Sequence, residues 1–188
     1  MIEREIKSMA TQTLMLQYKS ILDNLVDPKR ILQINYYFDT PDFQLNSLGN
    51  TLRVRQINNE LVLQYKYDKH YNGTEKTCEE FEISIQALPL YILSNALPND
   101  THNPALHYNY IGSLVTERLD YLYGQAIISL DKSYYLGKCD CEIEVEFQDY
   151  KMANEILRLL SIEEIETFEM GKYSRFAREY KRLGIEND

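Results

Sequence analysis

Polar and apolar side chains alternate along most of the chain with a period of two residues. Successive side chains of a β-strand point to opposite faces of a sheet, so this period predicts strands. Eight segments show it, at residues 2–8, 31–39, 51–57, 60–67, 77–85, 112–122, 125–133 and 138–148. Asparagine and glycine, which favour tight reversals, stand between several of them, as in Asn58-Asn59 and Asn72-Gly73. The pattern predicts a mainly β protein built from consecutive antiparallel hairpins.

Apolar residues three or four positions apart, the spacing of one helix face, occur in fewer places. They predict an amphipathic helix over residues 12–25 and shorter helices near 153–160 and 176–183. A weaker pattern of the same kind lies between Leu88 and Leu97. Each apolar stripe is expected to pack against the sheet.

Composition and charge favour one globular domain over residues 1–188. Hydrophobic residues make up 44% and charged residues 26%, and no apolar run approaches the roughly 20 residues of a membrane span. The 29 acidic and 20 basic residues give a net charge of -9, which repels nucleic acids. The residues after Met1 lack the pattern of a secretion signal. We expect a cytoplasmic protein with neither a nucleic-acid nor a membrane partner, and the sequence predicts no particular oligomeric state.

One face of nearly every predicted strand carries charged side chains. In chain order, the residues that share such faces are Glu3, Glu5 and Lys7; Arg53 and Arg55; Lys66; Glu80 and Glu82; Arg118 and Asp120; Asp131; and Asp140, Glu142, Glu144 and Glu146. A solvated sheet face would explain any single strand. Together they favour eight strands closed into a barrel with an ionic interior, because like charges stacked on one face require counter-ions.

Both signs of charge on one face indicate two kinds of ligand. Clustered carboxylates suit hard divalent cations such as Mg²⁺ or Mn²⁺, while arginine and lysine suit the oxygens of a condensed phosphate. Neither G-x-x-x-x-G-K-[ST] nor G-x-G-x-x-G occurs, so a glycine-rich phosphate loop is unsupported. Side chains are therefore expected to bind the phosphate.

The segment Glu3-Arg4-Glu5-Ile6-Lys7 resembles the E-x-E-x-K signature of CYTH proteins, the triphosphate tunnel metalloenzymes, and most closely their bacterial YjbK-like branch. Further matching segments follow in the family order: Tyr36-Tyr37-Phe38-Asp39-Thr40, Leu52-Arg53-Val54-Arg55, Lys66, Glu80 and Glu82, Arg118, Asp131, Glu142-Ile143-Glu144 and Lys172. The resemblance implies a closed eight-stranded antiparallel β-barrel that forms a tunnel, with helices packed outside.

The resemblance also implies roles for individual residues. The triphosphate would be held by Lys7, Arg53, Arg55, Lys66, Arg118 and Lys172. One or two divalent ions, Mg²⁺ or Mn²⁺, would be held by Glu3, Glu5, Asp131, Glu142 and Glu144. Two of these, Glu5 and Glu144, are also the candidates for orienting the attacking water. The assignment of Glu80, Glu82 and Glu146 stays open.

These roles predict divalent-metal-dependent hydrolysis of inorganic triphosphate or a small organic triphosphate, in which cations neutralise the leaving diphosphate. A non-catalytic module that binds polyphosphate or a nucleotide is the alternative, and adenylate cyclisation is a minor one.

The predicted clustering of carboxylates also gives an electrostatic expectation. Glu3, Glu5, Glu142 and Glu144 should repel one another without metal and have raised pKa values. Glu144→Gln should then leave the metal-free melting temperature equal or higher. A salt bridge between Glu144 and an interior arginine would predict the opposite.

Overall fold

The computed structural model describes residues 4–72, 75–100, 105–162 and 170–185. In chain order its elements are β1 (Glu5–Ala10), α1 (Gln12–Asp23), β2 (Lys29–Asp39), α2 (Gln44–Ser47), β3 (Thr51–Ile57), β4 (Glu60–Asn72), β5 (Glu75–Ile85), β6 (Tyr91–Leu93), β7 (His107–Tyr123), β8 (Ala126–Tyr135), β9 (Lys138–Glu146), α3 (Tyr150–Leu159) and α4 (Lys172–Leu183). Among these residues, no helix has both the length and the apolar character that crossing a membrane requires.

The strands form one antiparallel sheet, ordered β2-β3-β4-β5-β1-β9-β8-β7-β6, and β2 also pairs with β7. The mainly β, antiparallel class is therefore confirmed. Within the described residues, β1 and β5 are matched at a single position, Glu5 opposite Lys76, whereas β1 and β9 are matched from Glu5 to Ala10. The described residues of β1 and β5 do not form a continuous ladder of hydrogen bonds, so closure into a barrel stays a prediction.

The predicted strands and three of the predicted helices are present, but the helix proposed between Leu88 and Leu97 is wrong. Residues there form the short strand β6, which pairs with β7, and one 3₁₀ turn at Ser94–Ala96. Pro89 and Pro98 flank the segment. The stretch between them is too short to form a helix that is stable by itself. The apolar spacing arises because Ile92 and Leu97 both contact the core.

The apolar side of the sheet packs against α1 and α3. Sheet residues such as Ile128, Ile143 and Val145 share one cluster with Leu22 of α1 and Ile156 of α3. Their burial follows from the same alternation that turns the charged residues to the other face. The prediction that helices pack on the uncharged face holds for these two helices.

Helix α4 packs on the charged face instead. Its Tyr173 and Phe176 contact Tyr37 and Leu114, and the rings of Tyr37 and Tyr173 stack with centroids 4.6 Å apart. Gly112 makes this close approach possible, because a Cβ there would lie 2.7 Å from Phe176 Cζ. The expectation that helices pack outside a barrel stays a prediction, and the structure places α4 on the charged face, where residues of its first turn pair with the sheet.

Asp39, at the end of β2, fixes the position of α4. Its buried carboxylate accepts hydrogen bonds from the backbone N–H groups of Leu45 and Asn46, at 2.9 and 3.0 Å, which holds α2 in place. The Tyr173 hydroxyl donates to the same carboxylate at 2.6 Å. One side chain thus connects β2, α2 and α4.

Candidate functional site

The cross-strand register brings the predicted charged residues onto one face. Directly opposite residues in neighbouring strands share a face. Asp131 of β8 lies opposite Arg118 of β7 and Glu142 of β9. Glu144, two residues further along β9, lies opposite Lys7 of β1. The assignment of these residues to one face, made from the alternation alone, is confirmed.

An acidic cluster forms where β8 and β9 meet. Carboxylate oxygens of Asp131, Glu142 and Glu144 lie within 4.8 Å of one another, and all three side chains are buried. Three converging oxygen donors are a suitable ligand set for Mg²⁺ or Mn²⁺. Glu5 is also buried, 3.0 Å from Lys7 Nζ, whereas Glu3 lies outside the described residues.

Basic side chains from three other elements neutralise the acidic cluster. Lys172 Nζ lies 2.7 Å from Asp131 Oδ2 and 2.9 Å from Glu144 Oε1, and it also contacts Glu142. Arg118 donates two hydrogen bonds to Asp131, at 2.7 and 2.6 Å, and contacts Glu144. The Lys7 ammonium lies 2.6 Å from the same glutamate. Three of the predicted phosphate ligands therefore hold carboxylates in this structure.

Glu144 is ionised as a result of these contacts. Burial raises its pKa, but Lys172, Lys7 and Arg118 outweigh burial and hold the pKa well below its usual range. The pKa of Lys7 is well above its usual value because Glu144 and Glu5 outweigh the lowering effect of burial. The expectation of repulsion and a raised pKa is thus wrong for Glu144, because cations from β1, β7 and α4 surround it.

Arg175 belongs to the site but was missed in the sequence. Its Nε donates to Asp140 Oδ2 at 2.9 Å, its Nη1 donates to the Met170 carbonyl at 2.6 Å, and its Nη2 contacts Glu142. Burial lowers its pKa, but Glu142 and Asp140 raise it by more. The signal was the position of Arg175 one helical turn after Lys172, which places both side chains on one face of α4.

Arg53 and Arg55 form a separate basic pair on β3. Arg53 Nε donates to Gln64 Oε1 at 2.7 Å, and Arg55 Nε donates to Asn35 Oδ1 at 3.1 Å. Neither arginine has a carboxylate partner among the described residues. Burial, with Arg53 and Arg118 nearby, lowers the pKa of Arg55 to about 9. This part of the face therefore carries positive charge that an anion could balance.

The remaining predicted residues lie on the neighbouring strands. Lys66 Nζ of β4 is 3.2 Å from Glu80 of β5, so this lysine is already paired with a carboxylate. Glu82 accepts a hydrogen bond from Gln64, the partner of Arg53, and Glu146 lies opposite Glu5. Lys66, Glu80 and Glu82 extend the charged face beside the basic pair, and Glu146 extends it beside Glu5; none of the four belongs to the acidic cluster.

Several known proteins resemble this chain in sequence and in fold. The chain is 31% identical over 195 residues to a Bacillus subtilis (strain 168) protein named "Putative triphosphatase YjbK", an alignment that covers 96% of this chain and 97% of that protein. A solved structure from Bacillus halodurans, described as a "putative adenylate cyclase", is similar with a TM-score of 0.72, 28% identity and coverage of 93% and 97% of the two chains. A solved structure of the Hippeastrum protein HpAC1 is also similar, with a TM-score of 0.74, 22% identity and coverage of 94% and 95% of the two chains. HpAC1 is described as a "putative adenylyl cyclase" with a dominant triphosphatase activity. The family model of the CYTH domain matches residues 1–177. The chain therefore belongs to the CYTH domain family.

Proposed function

We propose that this chain is a divalent-metal-dependent triphosphatase that hydrolyses inorganic triphosphate or a small organic triphosphate in a charged β-barrel tunnel. The observation that carries the proposal is that one buried face holds both the acidic cluster and the basic pair Arg53 and Arg55. A condensed phosphate with a bound divalent cation is complementary to both. The name of the Bacillus subtilis relative, which aligns over nearly the whole chain, supports the same activity.

The tunnel in this proposal requires the sheet to close between β1 and β5. Support comes from β2, which pairs with β3 on one side and with β7 on the other. The position at which Glu5 faces Lys76 supplies the contact between β1 and β5. A closed sheet would keep the charged face away from bulk water and strengthen its electrostatic interactions.

The metal ion would be held by the acidic cluster, Asp131, Glu142 and Glu144, with Glu5 beside it, and Glu3 stays a proposed ligand. When bound, a divalent ion there would withdraw charge from the phosphate oxygens. Lys172 contacts all three residues of the cluster, so its ammonium competes with a metal ion for the same oxygens. Triphosphate oxygens offer Lys172, Lys7 and Arg118 alternative acceptors, which makes metal and substrate binding mutually favourable.

Arg53 and Arg55 would bind the phosphate chain directly, because neither forms an ion pair with a described carboxylate. Guanidinium groups form paired, charge-assisted hydrogen bonds with phosphate oxygens. Lys66 would contribute from the next strand by releasing Glu80. The substrate would therefore lie between β3 and the acidic cluster.

Glu5 and Glu144 are proposed to orient the attacking water. Because Glu144 has a strongly lowered pKa, it is ionised at neutral pH and accepts a hydrogen bond from water more readily than it accepts a proton. Phosphoryl transfer requires positioning and charge stabilisation more than a strong base. The role proposed for these carboxylates is therefore to hold the water in line with the leaving diphosphate.

Phosphate release from tripolyphosphate and a panel of nucleoside triphosphates tests the proposal, with Mg²⁺, Mn²⁺ or EDTA present. We expect release with either metal and none in EDTA. Glu142→Gln should lose this activity, whereas Glu117→Gln, at an exposed position of β7 whose side chain points away from the acidic cluster, should retain it. Tight binding without release would support a binding module instead, and failure to bind any triphosphate would refute the proposal.

A further inference from the structure

Two buried polar groups on β2 have no hydrogen-bond partner in the described part of the chain: Asn35 Nδ2 and the Tyr37 hydroxyl. Both residues are 0% exposed to solvent. An unpaired buried donor destabilises a fold, and native proteins rarely keep one without a reason. Leucine and phenylalanine would fill the same space without this cost.

The position of Asn35 indicates what its free amide could bind. Asn35 lies opposite Arg55 and accepts a hydrogen bond from Arg55 Nε through Oδ1. Because the amide oxygen is used in this way, the NH₂ group is the donor left without an acceptor. It lies next to the Arg55 guanidinium, which forms no ion pair with a described carboxylate.

Tyr37, the next residue on the same face of β2, also lies beside an arginine. It lies opposite Arg53, and its ring packs against Tyr173 and Phe176. Burial raises the pKa of the Tyr37 phenol, while Arg53, Lys172, Arg55 and Arg175 act in the opposite direction. The net shift of the pKa is upward, so the hydroxyl keeps its proton and can donate a hydrogen bond. The four cations around it have no acceptor atom for that hydrogen bond.

We propose that Asn35 and Tyr37 bind substrate directly, donating hydrogen bonds to non-bridging oxygens of a phosphate chain that Arg53 and Arg55 hold. This inference rests on the proposed triphosphatase function and adds two uncharged residues to its substrate site. A phosphate oxygen supplies the acceptor that both donors lack. Uncharged donors also add hydrogen bonds to an anion without increasing repulsion between the arginines.

Asn35→Asp tests whether the phosphate chain lies beside the Asn35 side chain and Arg55. The new carboxylate would pair with Arg55, so the metal-free melting temperature should rise. The same carboxylate would repel phosphate, so the Kd for inorganic tripolyphosphate, measured by calorimetry in EDTA, should weaken more than tenfold. Gln56→Glu is the matched control, because it adds the same charge next to Arg55 on the opposite face, where Gln56 accepts from Tyr36. The control should bind as the wild type does.

Tyr37→Phe is the second variant and removes only the unpaired hydroxyl. We expect an equal or higher melting temperature, together with a Kd for tripolyphosphate weaker by about tenfold. In turnover with Mg²⁺, KM should rise. A lower melting temperature would show that the hydroxyl has a structural partner and would overturn the assignment of Tyr37.

The outcomes for the inference and for the proposed function are distinguishable. If the wild type binds tripolyphosphate and both variants bind equally well, the inference is wrong and the proposed function stands. If the wild type itself does not bind tripolyphosphate, with or without Mg²⁺, the proposed function fails and the inference fails with it.

Discussion

Glu144→Gln tests whether the charged face is held together by attraction in the absence of metal. The substitution keeps the shape of a side chain that is 4% exposed and removes its charge. Three cations lose a contact: Lys7 at 2.6 Å, Lys172 at 2.9 Å and Arg118. A cluster dominated by repulsion between carboxylates would gain stability from the change, whereas the observed pairing predicts a loss.

The size of the loss follows from the partners that remain. Breaking a buried ion pair costs about 3–5 kcal/mol when it leaves a charge uncompensated. Here Lys7 keeps Glu5 at 3.0 Å, and Lys172 and Arg118 both keep Asp131, at 2.7 and 2.6 Å. The free energy of unfolding should therefore fall by about 3 kcal/mol, the lower end of that range. For a domain of this size the melting temperature should fall by about 6–12 °C.

The pH dependence of the loss provides an internal check. Because folding lowers the pKa of Glu144, its ionised form stabilises the protein fully above the ordinary value of 4.5. That stabilisation is lost as the pH falls through the lowered pKa of the folded state. The difference between wild type and variant should be largest near neutral pH and shrink as the pH falls below 4.5.

Urea denaturation and thermal melts in EDTA at neutral pH measure the effect, with Glu117→Gln as the control at an exposed glutamate of β7. The control should change the free energy of unfolding by less than about 0.5 kcal/mol. A melting temperature of Glu144→Gln equal to or above that of the wild type would refute the argument from ion pairing.

Three further predictions concern the basic pair and the packing of α4 on the sheet. Arg55→Ala should leave the metal-free melting temperature about unchanged, because the relief of repulsion from Arg53 and Arg118 offsets the lost hydrogen bond to Asn35. It should weaken tripolyphosphate binding at least about tenfold by calorimetry, and an unchanged Kd would contradict this prediction. Asp39→Asn should lower the free energy of unfolding, measured in urea, by about 2 kcal/mol, because a charged acceptor of several hydrogen bonds is lost. An unchanged free energy of unfolding would show that Asp39 does not hold α2 and α4 in place. Gly112→Ala should lower the free energy of unfolding by about 1–3 kcal/mol, because the new Cβ displaces the Phe176 ring. An unchanged melting temperature would show that α4 shifts to accommodate the Cβ without cost.

The alternation of side chains along each strand was enough to predict which of them share a face. Alternation along a strand is a local property of the backbone, so the parity of Arg53 and Arg55, or of Glu142 and Glu144, could be obtained without knowing any neighbour. The same reasoning located the strands and the helices that pack on the apolar face. It failed at β6, where two prolines and pairing with β7 outweighed a helical spacing of apolar residues.

Which charged side chains contact one another depends on how the strands and α4 pack together. Glu144 and Lys7 are 137 residues apart in the chain, and their contact depends on the register of β1 against β9. Lys172 and Arg175 reach the carboxylates because α4 packs on the charged face, which an amphipathic pattern cannot indicate. The sequence therefore gives the right residue types on the right face, but the sign of a pKa shift depends on distances between charges that only the folded chain sets.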